Sequence, residues 1–131
     1  MTMTWFDGVM GNASSVPASE AEKEFGPVLG TGEKVVIAYK LIRDYVVFTD
    51  LRLLLVDKQG ITGKKVEFHS IPYKSISHFS VETAGHFDLD AELKLWISSS
   101  STPIEKRFSK AVNIFEVQAL LAKAVCGSAP G

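Results

Sequence analysis

The sequence predicts a mainly β fold of about seven antiparallel strands, capped by a C-terminal helix and preceded by short N-terminal helices. Three observations predict this class. Apolar residues recur with a period of two through much of residues 33–108, as they do in strands. Turn-forming residues separate these runs at short intervals, which favours hairpin connections. A helix start signal at Asn113 then opens a final segment whose apolar residues follow the helical period.

Residues 1–32 are rich in Ser, Ala and Gly and differ from the rest of the chain. Near the start, four large apolar residues have the spacing of one short helical face: Trp5, Phe6, Val9 and Met10. A second short helix is expected to begin around residues 15–17, with Pro17 near its first position, and to end at Gly26-Pro27. We therefore expect an N-terminal helical extension over residues 1–32 and the main domain over residues 33–127.

Seven β-rich runs follow in series. Their predicted bounds are residues 35–42, 45–49, 51–56, 66–71, 75–83, 89–97 and 104–108. The connections are short, with Arg43-Asp44 as a tight turn and residues 57–63 as a loop that contains two glycines. Short connections join antiparallel neighbours, so the pattern predicts a meander.

The C-terminal helix has a readable beginning and end. Asn113 is the predicted N-cap, and Glu116, three residues later, completes a capping box. Val112 and Val117 have the positions of a hydrophobic staple. Gly127 is the expected stop. The apolar face of this helix predicts that it covers the core of the domain.

Length, charge and cysteine content limit what the chain can do. Its 131 residues suffice for one domain, and 14 basic residues against 15 acidic ones give a net charge of −1. Such a chain has no general attraction to nucleic acid or to an anionic membrane. The single cysteine, Cys126, forms no intramolecular disulfide. Without a signal-peptide pattern or an apolar run long enough to span a bilayer, the expected location is cytoplasmic and no membrane insertion is expected.

The motifs of common catalytic and metal sites are missing from the sequence. It contains no nucleophile-elbow pattern, no phosphate-binding glycine loop and no His-Glu-x-x-His. Asp88, Asp90 and Glu92 follow His86 at alternate positions, but a strand face spreads carboxylates apart instead of converging them on an ion. Cys126 lies in a segment without histidine, where a structural thiol is more common than a reactive one. The sequence therefore predicts no catalytic residue, no metal and no cofactor.

Some strands carry apolar residues on both faces, which is unusual for a sheet with one wet face. The residues on the second face are Val36, Ala38, Leu54 and Trp96. Something must cover them, either the chain's own N-terminal helices or a neighbouring subunit. Both hold if the N-terminal helix of one subunit packs on the next.

Several long strings of residues resemble a known family. Residues 43–65, residues 70–76 and residues 82–96 match it in order, as does the stretch Trp5-Phe6-Asp7-Gly8. With them the chain resembles the bacterial PH-domain family, once known only as a domain of unknown function. The resemblance implies a PH-like barrel of about seven strands and a tendency to form ring-like homo-oligomers. It implies no enzymatic activity.

The function expected from these observations is that of a non-catalytic, self-associating interaction or scaffold module, a homo-oligomer larger than a dimer. The expected interface residues are Trp5, Phe6, Val9, Met10, Val36, Ala38, Leu54 and Trp96. The alternative is a module for a peptide or a lipid headgroup, which would use the edge strand beside the C-terminal helix. For an anionic ligand the candidate residues are Lys58, Lys64 and Lys65. The first hairpin loop, residues 40–44, has too few cations for a multiply charged headgroup, so phosphoinositide binding is not expected.

Overall fold

A computed structural model describes residues 15–59, 64–83 and 90–127 of the chain. Within these ranges the strands are β1 (Ser15–Val16), β2 (Val35–Lys40), β3 (Asp44–Thr49), β4 (Arg52–Gln59), β5 (Lys65–Pro72), β6 (Ile76–Glu82), β7 (Ala91–Ile97) and β8 (Ile104–Phe108). The α-helices are α1 (Ala18–Phe25) and α2 (Ile114–Cys126), and single 3₁₀ turns span Gly26–Val28 and Tyr73–Ser75. The predicted mainly β fold with a C-terminal helix is confirmed.

The chain divides into two units, Met1–Pro72 and Tyr73–Gly131. The first contains an antiparallel sheet in the order β1-β2-β3-β4-β5. The second contains an antiparallel sheet in the order β6-β7-β8, together with α2. Each sheet is a meander, as the short connections predict.

Helix α1 covers one face of the five-stranded sheet. It begins at Ala18, directly after Pro17, and Gly26-Pro27 ends it as predicted. The expected beginning around residues 15–17 is wrong, because Ser15 and Val16 pair with β2 and form β1. The buried residues Ala21 and Phe25 of α1 pack with apolar residues of β2, β3 and β4. The ring of Phe25 meets the ring of Tyr45 edge to face, with 5.1 Å between centroids. The members of this cluster on the sheet are Val35, Ala38, Tyr45, Val47, Leu54 and Val56.

The other face of the five-stranded sheet is buried as well. Its core residues are Ile37, Tyr39, Val46, Phe48, Leu53, Leu55 and Ile71. The rings of Tyr39 and Phe48 meet edge to face within this layer. Burial on both faces explains why the central strands are apolar at consecutive positions instead of alternating.

A β-bulge in β2 changes the predicted faces. Val35 pairs with Thr49 and Ile37 pairs with Phe48, so two steps on β2 match one step on β3 and Val36 is the extra residue. Val35 consequently shares the α1 face with Ala38. The expectation that Val36 shares a face with Ala38 is therefore wrong.

Helix α2 has the predicted cap. The Oδ1 atom of Asn113 accepts a hydrogen bond from the backbone N–H of Phe115, at 3.1 Å. The helix contacts β6 and the 3₁₀ turn before it, and it buries Ile114, Val117 and Leu121. It ends at Cys126, and Gly127 follows as the C-cap residue.

Candidate interaction surface

A buried carboxylate ties the start of β2 to the turn between β3 and β4. The chain reverses at Gly30–Glu33, where Gly32 has a φ of 79°, a value that glycine adopts without a steric penalty. This turn places the side chain of Glu33 so that Oε1 accepts a hydrogen bond from the N–H of Gly30 at 2.8 Å. Its Oε2 atom accepts one from Oγ1 of Thr49 at 2.6 Å. The carboxylate is thus held inside the protein by neutral donors on two sides.

Arg52 completes the network around this carboxylate. Its Nε and Nη2 atoms donate to Oε2 and Oε1 of Glu33, each at 2.9 Å, in the two-point geometry typical of arginine and carboxylate. Nη2 also donates to the carbonyl of Val28, and Nη1 donates to Oγ of Ser70 on β5. The hydrogen bonds from Arg52, more than any other cause, lower the pKa of Glu33 from 4.5 to about 2. All of these hydrogen-bond partners belong to the first unit, so the network stabilises its fold. The lowered pKa leaves this acid unsuited to proton transfer near neutral pH.

Strand β5 is the most open element of the five-stranded sheet. It lies at the end of the strand order, and in the part of the chain that the structure describes it pairs only with β4. Of its eight residues only Ile71 is buried. Phe68 leaves 44% of its surface exposed although its β4 partner, Val56, belongs to the α1 cluster. A long, exposed edge strand that carries an aromatic residue is a typical docking surface.

The predicted interface residues of the five-stranded sheet do not form one surface. Ala38 and Leu54 have no exposed surface, because α1 of the same chain packs on them. Val36 is 54% exposed because it is the extra residue of the bulge. Of the two covering elements considered from the sequence, the chain's own helix therefore accounts for Ala38 and Leu54. Neither side chain is exposed, so neither can contact another subunit while α1 stays in place.

Trp96 lies on the outer face of the three-stranded sheet, half-buried. Its ring stacks on His78, its partner on β6, with 4.4 Å between centroids and 15° between planes. The rest of that face is polar or charged, because the cross-strand rows that continue it contain Ser80, Glu82, Glu92, Lys94, Glu105 and Arg107. Trp96 is therefore surrounded by side chains of both charges. Its role in an interface stays a prediction.

Trp5, Phe6, Val9 and Met10 lie outside the described residues. The prediction that they take part in an interface, and that they form a helix, is carried forward as a prediction. The domain boundary at residues 32 and 33 is also untested, although β1 and α1 pack in the same unit as β2–β5.

The three lysines proposed for an anionic ligand lie near one end of the β4–β5 hairpin. Nζ of Lys58 lies 5.3 Å from the centroid of the Tyr45 ring, a cation–π contact. Burial raises the pKa of Tyr45, and the negative charges of Glu24 and Glu20 on α1 raise it further. Lys58 thus has an aromatic partner close to two carboxylates. Lys64 and Lys65 are exposed at the beginning of β5.

The acidic segment that contains Asp88, Asp90 and Glu92 is only partly described by the structure. Residues 84–89, which include His86 and Asp88, are not described. Among the residues that are described, no group of three or more His, Cys, Asp or Glu side chains is placed to hold a metal ion. In the same ranges no helix has the length and apolarity needed to cross a membrane.

Sequence reasoning missed the two most informative features of the first unit. Glu33 and Arg52 belong to different elements, so no spacing rule relates them. The exposure of one face of β5 did have a signal, because Lys65, Glu67 and His69 alternate with Val66 and Phe68, whereas the exposure of Phe68 had none. That alternation is typical of a strand with one wet face.

Comparison with known proteins gives a consistent result. The model of the bacterial PH domain matches residues 4–125. Protein YjqA of Bacillus subtilis strain 168, which carries the description "uncharacterized", is 58% identical over 125 residues, covering 95% of this chain and 99% of its own length. The crystal structure of a DUF1696 family protein with a pleckstrin-homology domain, from Shewanella loihica PV-4, has a TM-score of 0.78 at 51% identity, covering 87% of this chain and 97% of its own.

A second solved structure, the pleckstrin homology domain from Shewanella amazonensis SB2B, has a TM-score of 0.77 at 50% identity and covers 92% of this chain and 98% of its own. The two antiparallel sheets followed by a C-terminal helix agree with these neighbours, and the family match spans nearly the whole chain. The chain belongs to the bacterial PH domain family.

Proposed function

We propose that this protein is a non-catalytic interaction domain that assembles with further copies of itself into an oligomer larger than a dimer. The observation that carries the proposal is the openness of β5. Proteins usually shorten, charge or cover their edge strands, because unpaired backbone groups invite another chain. Here an eight-residue strand is exposed on both faces and presents Phe68 beside the apolar cluster under α1.

The composition of the chain supports a covered surface. Its mean hydropathy is positive, at +0.13. Besides Phe68, four large apolar side chains in the described ranges are well exposed: Val36, Ile42, Leu51 and Phe115. A small domain has little interior in which to bury apolar side chains, so the exposed ones are candidates for contact with a partner.

An enzymatic role has less support. Membership of the bacterial PH domain family and similarity to an uncharacterized relative suggest a non-catalytic module. The buried acid of the first unit, Glu33, is held by Arg52, Thr49 and Gly30, and its low pKa leaves no proton to transfer near neutral pH. Such an arrangement stabilises a fold and does not serve as a general acid or base.

A peptide ligand, the alternative function, could bind to a second edge strand. Strand β6 is an edge of the three-stranded sheet and contacts α2. It is therefore the edge strand beside the C-terminal helix, where a peptide ligand is expected from the sequence. Its inward residues Phe79 and Val81 are only half-buried, but no large apolar residue on it is fully exposed. We therefore favour β5 as the docking strand and a further copy of the chain as its partner.

Static light scattering of the purified protein at micromolar concentration tests the proposal. We expect a mass of more than two chains, and we expect Phe68→Glu to lower it, because the introduced carboxylate would be buried without a partner. His69→Glu is the matched control, since His69 lies on the opposite face of the same strand. A wild-type mass of 14.3 kDa, that of one chain, would contradict self-association.

A further inference from the structure

Strand β6 leaves one edge of the three-stranded sheet open. In the part of the chain that the structure describes, β6 pairs only with β7, and the register between the two strands is regular from His78 to Glu82. The backbone N–H and C=O groups on the far side of an edge strand can pair with another extended chain. The side chains along this edge indicate which kind of chain fits.

The ring of His78 is held in one orientation. Its cross-strand partner Trp96 stacks on one face of the ring. Nδ1 of His78 lies 3.2 Å from Oγ of Ser77, and that hydroxyl donates its single proton to the carbonyl of Trp96. Nδ1 therefore donates to Oγ of Ser77. Because Trp96 belongs to β7, the other face of the His78 ring points toward the open edge, where a planar side chain can extend the stack.

Along the described rows of this outer face, three carboxylates accompany two cations. Glu82 lies directly opposite Glu92, and like charges at such positions repel. Arg107 lies opposite Glu92 on its other side, and Lys94 lies opposite Glu105, so each cation already has a carboxylate directly across from it. Glu82 is exposed at the edge, with a carboxylate as its direct neighbour on β7. A cation opposite Glu82 on an added strand would relieve this repulsion.

The inner face of β6 is apolar and only partly covered. Phe79 and Val81 lie opposite Leu95 and Leu93, which are fully buried. At the edge, however, Phe79 and Val81 remain half-buried. Apolar side chains at the facing positions of an added strand would remove the rest of their surface from water.

We infer that the β6 edge binds an extended segment of another protein, paired antiparallel as the strands of this sheet are. Read from its N-terminus, the segment has a Lys or Arg opposite Glu82, an apolar residue opposite Val81 and then one unrestricted residue. An apolar residue opposite Phe79 and an aromatic residue opposite His78 follow. Main-chain hydrogen bonds supply affinity and the alternate side chains supply selectivity. The inference concerns a second surface and does not rest on the self-association proposed above.

The chain itself is not the expected source of this segment. No Lys or Arg in its sequence is followed by an apolar residue, any residue, an apolar residue and then Phe, Tyr or Trp. The nearest string, residues 65–69, ends in histidine and belongs to β5. A second copy is therefore the competing occupant, which the experiment below distinguishes.

Fluorescence anisotropy with the labelled peptide Thr-Lys-Val-Thr-Val-Phe-Thr tests the site on the full-length protein. We expect saturable binding. Replacing the Phe of the peptide by Ala should weaken binding by about 2- to 10-fold, the range of one aromatic pair. Replacing its Lys by Glu should weaken binding by roughly fivefold. The absence of saturable binding, or equal binding of the three peptides, contradicts the inference.

Variants of the protein locate the contacts. Glu82→Lys should weaken binding of the Lys peptide and strengthen binding of the Glu peptide, and the second effect also shows that the variant is folded. Glu105→Lys, on the strand at the other edge of the same sheet, is the matched control and should change neither. His78→Ala should abolish the preference for Phe over Ala in the peptide, whereas His69→Ala on β5 should retain it. If Glu82→Lys distinguishes the Lys and Glu peptides as the wild type does, the inference is wrong.

A peptide with the sequence of residues 64–70 distinguishes another protein from a second copy. If it binds more tightly than the first peptide, and Glu82→Lys lowers the mass measured by light scattering, the occupant is a second copy and the inference is wrong. Weaker binding of this peptide, with the mass of Glu82→Lys equal to that of the wild type, supports another protein as the occupant.

Discussion

Arg52 and Glu33 form a buried ion pair, in which Nε of Arg52 lies 2.9 Å from Oε2 of Glu33. The two residues are nineteen positions apart. The glutamate side chain is 1% exposed and the arginine side chain is 22% exposed, so Glu33 is buried and Arg52 is partly exposed to solvent. Breaking such a pair leaves a charge without its partner, which costs far more than the pair contributes when intact.

The first prediction concerns stability against pH. The pKa of Glu33 is lowered from 4.5 to about 2, so its contribution is complete above about pH 4.5 and is lost as the pH falls toward 2. At 1.36 kcal/mol for each unit this amounts to roughly 3 kcal/mol. Glu33→Gln should therefore lower the free energy of unfolding at pH 7 by about this much, and should flatten its decline between pH 5 and pH 2. Urea unfolding at several pH values measures both.

Glu105→Gln is the control for this experiment, because it removes one carboxylate from an exposed site on β8. It should leave stability at pH 7 nearly unchanged and retain the acid-dependent decline of the wild type. If Glu33→Gln loses stability in acid as steeply as the wild type does, the ion pair is not the source of that pH dependence.

The second prediction concerns the cap of α2. Asn113→Ala removes the acceptor for the N–H of Phe115 and should cost about 1 kcal/mol. Asn113→Asp keeps an acceptor at the same place and adds a charge that favours a helix N-terminus, so it should be close to the wild type. Thermal unfolding followed by circular dichroism compares the three. Equal melting temperatures for Asn113→Ala and Asn113→Asp would count against the cap.

The elements that the sequence predicts well are those with local signals. Strand β8 has the predicted bounds, and α2 begins after its predicted cap because the capping side chain lies next to the helix it caps. The prediction that the third run ends at Val56 is wrong, since β4 continues to Gln59. Asp57, Lys58 and Gln59 pair with β5, and this backbone ladder outweighs the low strand preference of these residue types.

The candidate interaction surface is less predictable from the sequence, because it depends on where a helix and a bulge fall. Leu54 and Phe68 lie on the same face of the sheet, yet α1 covers the first and leaves the second exposed. The apolar pattern shows that a residue belongs to this face but not how far the helix extends over it. The bulge at Val36 shifts the faces of β2 by one position, which a strict period of two does not anticipate. Such features require the tertiary structure.

The third prediction concerns the packing of α2. Leu121 is fully buried, and Leu121→Ala should cost about 2–5 kcal/mol, which is a large part of the stability of a small domain. Gln118→Ala, at an exposed position of the same helix, should have little effect. For the same reason a chain that ends before Asn113 should fail to unfold cooperatively. A soluble fragment of residues 1–112 with a sharp thermal transition would show that α2 is dispensable.

The last prediction is that the protein does not select phosphoinositides. The loop between β2 and β3 has only three residues, and the N–H of Leu41 donates to the carbonyl of Asp44 across it at 2.7 Å. Such a short loop cannot surround a multiply charged headgroup with several fixed cations.

On the neighbouring hairpin, the ammonium group of Lys58 lies over Tyr45, close to the carboxylates of Glu20 and Glu24, which would repel a phosphate. Co-sedimentation with vesicles at about 0.15 M salt should therefore give the same bound fraction for phosphatidylcholine alone and for phosphatidylcholine containing a phosphoinositide. Selective retention that is abolished when Lys58, Lys64 and Lys65 are replaced together by Gln would overturn the prediction. It would also identify those three lysines as the binding site.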